Sequence, residues 1–165
     1  MTLRTLKQGR NCKGSVAIEL ALCLLVSLVF LTVPLFLGRY FWHYTVAQRA
    51  AHDAALYLSK VSKVDMKTLG PSGEPGAAVL ARTIVSEELA ELNPGMGTLP
   101  PVVLCEYAIG ASTTWLPCNA LYTPTAVKVS ILMPFTDIFF QDSTSFLGLD
   151  GITIVADVQM PFVGT

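Results

Sequence analysis

Few residues in this 165-residue chain have the types and spacing that chemistry requires. His43 and His52 are nine residues apart, so they lack the one-turn spacing of a helical metal pair, and a solvated helix face explains both. The sequence has neither a nucleophile-elbow motif nor a phosphate-binding glycine-rich loop. We therefore expect no enzyme activity, no cofactor, no bound metal and no small-molecule substrate.

The cysteines allow one covalent link. Cys12 and Cys23 lie near the N-terminus, whereas Cys105 and Cys118 form an even pair in the C-terminal part. In an oxidising compartment this pair would form a disulfide that closes a short loop and contributes about 3 kcal/mol in the chain-entropy account. The alternative is a pair of metal ligands, but no further Cys or His accompanies it at ligand spacing.

Glu19 is the one carboxylate within an apolar run of 22 residues, Val16 to Leu37. About 20 apolar residues in a helix span the roughly 30 Å hydrocarbon core of a membrane. A charged group near the centre of a bilayer costs up to about 3 kcal/mol, and less toward its edge. Glu19 therefore either pairs with a functional partner, or belongs to an ordinary membrane anchor and extends its carboxylate toward the membrane surface.

The flanks of the apolar run predict its orientation. The preceding segment carries four basic residues and no acidic one: Arg4, Lys7, Arg10 and Lys13. Aromatic residues of the kind that favour the membrane boundary follow the run: Tyr40, Phe41, Trp42 and Tyr44. We expect a single pass through a membrane, with a cytoplasmic N-terminus and an exported C-terminal part. A secretory signal peptide is disfavoured because its apolar region is shorter and ends at a small-residue cleavage site.

Composition agrees with a membrane segment and excludes one class of partner. The chain is 52% hydrophobic and 14% charged, with a mean hydropathy of +0.55, which is too apolar for an ordinary soluble domain of this size. Its net charge of -1 provides no electrostatic basis for binding nucleic acid.

Hydrophobic periodicity predicts an α+β fold. A long helix runs from Ser15 to about Val61, with a small-residue face at Ala47–Ala55, and a second helix runs from Ala77 to Leu92 after a Gly/Pro-rich linker. Three alternating segments predict a small antiparallel sheet, namely residues 103–109, 127–133 and 152–160. The apolar connection from Pro134 to Gly151 is interpreted as a cover over the sheet, or as a contact surface for a neighbouring subunit. The predicted segments are a basic leader (1–14), a membrane helix with a periplasmic extension (15–62) and a periplasmic α+β domain (63–165).

The stretch Lys13-Gly14-Ser15-Val16-Ala17-Ile18-Glu19 resembles the cleavage site of type IV pilins and pseudopilins. In those proteins a prepilin peptidase cuts after the Gly and leaves the apolar helix on the mature chain. The wider pattern is similar to the TadE-like family of the Tad (Flp) pilus system. Gly14, Glu19, Gly38-Arg39 and the Ala-rich stretch Gln48 to Ala55 carry that resemblance.

The resemblance implies a minor pseudopilin that assembles through its N-terminal helix and serves pilus assembly, secretion and cell adhesion. It also implies that the membrane is the bacterial inner membrane and that the C-terminal domain is periplasmic. Cleavage would fall between Gly14 and Ser15, and Glu19 would set the register between stacked helices by pairing with the new amine of Ser15. The implied partners are the prepilin peptidase, other minor pilins, the pilus assembly platform and membrane lipid. The alternative is a single-pass periplasmic binding or accessory protein that does not enter a filament.

Overall fold

The computed structural model describes residues 13–92, 99–110, 112–135 and 152–164. Its elements, in chain order, are α1 (Lys13–Lys60), α2 (Lys63–Lys67), α3 (Gly76–Ala90), β1 (Val102–Ile109), β2 (Ser112–Pro117), β3 (Ala126–Pro134) and β4 (Thr153–Pro161). The predicted α+β class, with a long N-terminal helix and a small antiparallel sheet, is confirmed. The chain divides into two compact units, Met1–Arg39 and Tyr40–Thr165, so α1 contributes residues to both.

In the first unit, α1 is helical through its apolar run and continues past Pro34. The Thr32 hydroxyl donates to the carbonyl oxygens of Leu28 and Val29, at 2.8 and 2.9 Å. The hydrogen-bonding need of this hydroxyl is therefore met within the helix, without water. Nearly all large apolar side chains of this run are exposed. Within the described part of the chain, this is the one helix that is long and apolar enough to cross a membrane.

In the second unit, α1 buries a face of small residues. Its fully buried side chains are Ala47, Ala50, Ala51, Ala54, Ala55 and Leu58. Alanine side chains allow packed elements to approach closely. The close packing predicted for this face is therefore confirmed, and it takes place within the chain.

The Gly/Pro-rich segment is an ordered turn between two helices. Ser62 caps α2, because its hydroxyl oxygen accepts the Asp65 N–H at 3.1 Å. After α2, Leu69 and Pro75 form an isolated bridge around Gly73, whose φ of +77° favours glycine. Glu74 then forms an ion pair with Arg82, which attaches the turn to α3.

Helix α3 begins at Gly76, close to the predicted start, but its buried face differs from the prediction. Leu80 was expected in the apolar stripe and is 48% exposed, whereas Ala77, Ala78 and Ala81 are buried. Val85 and Leu89 are buried as expected. The small side chains form the packed surface because they allow the helix to lie close to its neighbours.

The sheet has the strand order β2-β1-β3-β4, and all three pairings are antiparallel. The alternation predicted for β1, β3 and β4 is confirmed, with Val103, Val129 and Ile154 among the buried residues. Strand β2 was not predicted, because every residue in it is exposed or half-buried and it has no apolar alternation. The predicted apolar connection after Pro134 lies outside the described residues, apart from Phe135, which is buried.

Candidate functional site

The predicted processing and register residues lie at the start of α1. Gly14 and Ser15 are in its first turn, and Glu19 follows one turn later with an exposed side chain. Residues four apart lie on the same face of a helix, so Ser15 and Glu19 share one face. Glu19 forms no hydrogen bond or ion pair with another described residue, so its exposed carboxylate is open to a group from outside.

The predicted cysteine pair lies in the second unit, where a disulfide joins Cys105 in β1 to Cys118 just after β2. Their Cα atoms are 4.9 Å apart, within the usual range for a disulfide. Beside it, the buried Tyr107 hydroxyl accepts the Asn119 N–H at 2.7 Å. Burial raises the pKa of the Tyr107 phenol, and the hydrogen bond from Asn119 opposes that shift. The disulfide and this hydrogen bond fix the end of β2 onto β1.

The loop after the disulfide is ordered by its own side chains but presents apolar groups to solvent. The Asn119 Oδ1 atom accepts the N–H groups of Leu121 and Tyr122, at 3.2 and 3.4 Å. Leu121 is nevertheless 78% exposed and Tyr122 is 58% exposed. Sequence reasoning missed this loop, although the segment from Tyr107 to Val127 contains no charged residue and could have indicated it.

The expectation that both histidines lie on a solvated helix face is wrong for His43. Its side chain is buried, and its ring lies edge-on to the rings of Trp42 and Phe135, with centroid distances of 5.2 Å for both. Phe135 follows β3, and its burial against α1 removes His43 from solvent. His52 is exposed as expected, with Nδ1 3.3 Å from the Asp53 carboxylate.

Charged side chains line the exposed sides of α1 and α3. The predicted surface pair of Arg49 and Asp53 is present, with Nε and Oδ2 3.9 Å apart. Partial burial raises the pKa of the Glu88 carboxyl, the Asp53 carboxylate adds to the shift and Arg49 opposes it. Glu87 and Glu91 are exposed, as expected for the polar face of α3, whereas Glu88 is half-buried. Pairs of this exposure contribute little to stability, so they indicate a solvated surface.

No described cavity assembles a catalytic constellation. One groove has a volume of about 450 Å³ and is lined by the last turns of α1 and the residue that follows, namely Asp53, Leu56, Tyr57, Lys60 and Val61. Partial burial raises the pKa of the Tyr57 phenol, and the Asp65 carboxylate adds to the shift. Across the described ranges, no three His, Cys, Asp or Glu side chains are grouped as metal ligands.

Comparison with protein families gives one match, which begins at Gly14. The model of the family described as TadE-like protein matches residues 14–56, about a quarter of the chain. Residues 14–56 are similar to the TadE-like family over that segment. No curated protein and no solved structure matches the chain.

The TadE-like segment contains the apolar run and most of the buried alanine face of α1. The apolar run lies within the matched segment, and its helix is long and apolar enough to cross a membrane once. The match ends at residue 56, so the family match does not cover the sheet or the disulfide.

Proposed function

We propose that this protein is a minor pseudopilin of a Tad-type pilus, cut after Gly14 by a prepilin peptidase. The observation that carries the proposal is the start of the family match at Gly14, which leaves residues 1–13 of the basic leader outside the matched segment. A cut at that position would remove residues 1–14 and keep the whole apolar helix. Ser15 would then become the N-terminus of the mature protein.

The position of Glu19 supports assembly through the N-terminal helix. Cleavage would create a cationic amine at Ser15, on the helix face that also presents the Glu19 carboxylate. In a stack of copies this amine and carboxylate could pair within one subunit or between neighbours. A buried charge pair contributes little net stability, but it specifies alignment because a misaligned copy leaves a charge unpaired in lipid.

The orientation that we propose places the N-terminus in the cytoplasm, the apolar helix in the bacterial inner membrane and the second unit in the periplasm. The four basic residues before the apolar run favour this orientation under the positive-inside rule. The Cys105–Cys118 disulfide also supports it, because disulfides persist in the oxidising periplasm and are rare in the cytoplasm.

In this account, chemistry is done on the protein rather than by it. The prepilin peptidase is the enzyme, and the protein contributes a cleavable leader and a helix that associates with other helices. Its further partners are other minor pilins, the assembly platform and membrane lipid. No cofactor or small-molecule substrate is required for this role.

The first test replaces Gly14 with leucine in the full chain, in cells that assemble the pilus. We expect the Gly14→Leu protein to accumulate as uncleaved precursor, measured by intact mass, with loss of piliation. Gly9→Leu is the matched control, since it makes the same change within the same leader and should leave processing intact. Normal piliation by uncleaved Gly14→Leu protein would contradict the proposal and favour an ordinary anchor.

The second test separates cleavage from assembly. Glu19→Gln keeps the size of the side chain and removes its charge, so the protein should be cut normally but should fail to restore piliation in a strain that lacks it. Full piliation by the Glu19→Gln protein would contradict the register role of Glu19.

A further inference from the structure

Strand β2 has no hydrophobic anchor of its own in the second unit. All side chains of Ser112–Pro117 are exposed or half-buried. Among the described strands it pairs with β1, through residues 104–109 of that strand. A pairing of two strands without a buried face is only marginally stable in water. Backbone pairing alone is therefore a weak attachment for β2.

Two further contacts hold the C-terminal end of β2. The disulfide joins Cys118, the residue after the strand, to Cys105 in β1. In the next residue, the Asn119 N–H donates to the Tyr107 hydroxyl of β1 at 2.7 Å. The Asn119 side chain then accepts two backbone N–H groups of the loop that follows. The disulfide is thus the covalent start of a series of contacts that orders both β2 and this loop.

The rest of the sheet is held by contacts that do not involve β2. Residues 102–106 of β1 pair with β3, and β3 pairs with β4 along its whole length. The Thr125 N–H donates to the Glu106 carbonyl oxygen at 2.8 Å, so the chain is attached to β1 again before β3 begins. Strands β1, β3 and β4 contribute the buried side chains of the sheet, such as Val129 and Ile154. Because burial of apolar surface is the main stabilising term in folding, these three strands should remain folded without β2.

We propose that the Cys105–Cys118 disulfide, which we call the β2 latch, makes the order of β2 depend on redox state. The oxidised chain holds β2 and the loop of residues 119–122 on β1, whereas the reduced chain releases them and keeps β1, β3 and β4 folded. A cross-link limits the freedom of the open chain, so its loss acts first on the enclosed segment with the least burial. This loop exposes Leu121 by 78% and Tyr122 by 58%. The β2 latch therefore decides whether that apolar surface has a fixed shape.

Closing the β2 latch is a thiol–disulfide exchange with an oxidant protein that carries a disulfide. One thiolate of the chain attacks that disulfide, and the second thiolate then attacks the mixed disulfide and displaces the oxidant. The two thiols of the chain lose two electrons and two protons, which the oxidant gains as its disulfide becomes a dithiol. Cys118 is 8% exposed and Cys105 is 0% exposed, so an external thiol reaches Cys118 more readily in the reverse reaction. The compartment in which the oxidant meets the chain rests on the proposed function, whereas the β2 latch itself does not.

The test compares amide hydrogen exchange of the full chain in detergent before and after treatment with a phosphine reductant. We expect the amides of residues 112–117 that bond to β1 to exchange roughly a hundredfold faster after reduction, the loop-closure factor for a separation of 13 residues. The amides that join β3 to β4 should be unchanged. Cys105→Ala/Cys118→Ala is the matched control, since its β2 amides should exchange fast from the start and should not respond to the reductant.

Chymotrypsin provides the second measurement, because it cuts after aromatic residues in a released segment. Reduction should speed cleavage after Tyr122 several-fold and leave residues 126–134 intact. Unchanged exchange in β2 after reduction would overturn the proposal. Loss of protection throughout β3 and β4 would also overturn it, because the disulfide would then hold the whole second unit. The mature N-terminus is measured in the same sample, so a chain that begins at Ser15 but keeps β2 in place when reduced overturns the β2 latch alone.

Discussion

Gly164 lies where the C-terminal tail (Phe162–Gly164) meets the end of α1. A Cβ atom at Gly164 would overlap the Val61 carbonyl oxygen and the Phe162 ring. The tail cannot easily move aside, because the Val163 N–H donates to the Ser59 carbonyl oxygen at 2.8 Å. At this residue, the absence of a side chain lets the tail pack against the helix.

We therefore expect Gly164→Ala to lower the free energy of unfolding by about 1–3 kcal/mol, the usual cost of overpacking. Denaturant unfolding of the full chain in detergent measures this loss of unfolding free energy. Gly76→Ala is the control, since a Cβ there meets only the Thr68 carbonyl oxygen at 4.0 Å and the residue begins α3. Equal stability of the two variants would show that the tail does not pack as described.

Asp157 makes a small part of the stability depend on pH. The hydrogen bond from Ser130 lowers the pKa of its carboxyl, partial burial opposes the shift, and Lys128 adds to the lowering. The pKa of this carboxyl is lower in the folded state than its value of 3.8 in the unfolded state. The ionised carboxylate therefore stabilises the fold at pH values above 3.8, and this contribution is lost as the pH falls through the folded pKa.

Asp157→Asn should therefore destabilise the protein at pH 7 by less than about 1 kcal/mol, because the ion pair is well exposed and screened by solvent. The difference between variant and parent should shrink as the pH falls below about 3.8 and vanish once both states are protonated. The urea midpoints of the Asp157→Asn variant and the parent, measured from pH 7 to below pH 3.8, test this prediction. A difference that grows toward acid pH would contradict the assigned contacts.

At the scale of elements, α1 presents side chains of two kinds. Its apolar run exposes large residues, whereas its later turns bury alanines against the rest of the second unit.

Ala54→Leu should lower the free energy of unfolding by about 1–3 kcal/mol, because the fully buried site has no room for three more carbon atoms. His52→Leu, an exposed change two residues away on the same helix, should have little effect. Thermal or denaturant unfolding distinguishes the two, and an Ala54→Leu protein as stable as the parent would contradict the close packing.

The elements with strong periodicity could be predicted from the sequence. Helices α1 and α3 and strands β1, β3 and β4 each have an apolar pattern because one face is buried. Strand β2 could not be found in this way, since neither of its faces is buried. Helix α2 is too short for periodicity, although Ser62 followed by Asp65 is a capping signal that indicates its start.

The candidate site was predictable in part. The roles of Gly14, Ser15 and Glu19 were inferred from spacing that is local in sequence, and they stay a prediction, although the family match includes these positions. The environment of His43 could not be predicted, because Phe135, which buries it, is 92 residues further along the chain. The strand order of the sheet likewise could not be predicted, because a single sequence does not contain it.

At the scale of the whole molecule, the two units require different surroundings. The first exposes a continuous apolar surface that suits lipid, whereas the second has its own core and a disulfide. A prepilin peptidase that cuts after Gly14 would keep these units covalently joined. An ordinary signal peptidase, which removes the apolar helix, would separate them.

The intact mass of the native protein, purified from cells with functional pili, tests this account most directly. The account predicts a chain that has Ser15 as its first residue and retains the apolar helix. A native chain in those cells that still begins with Met1 and keeps its basic leader would contradict it.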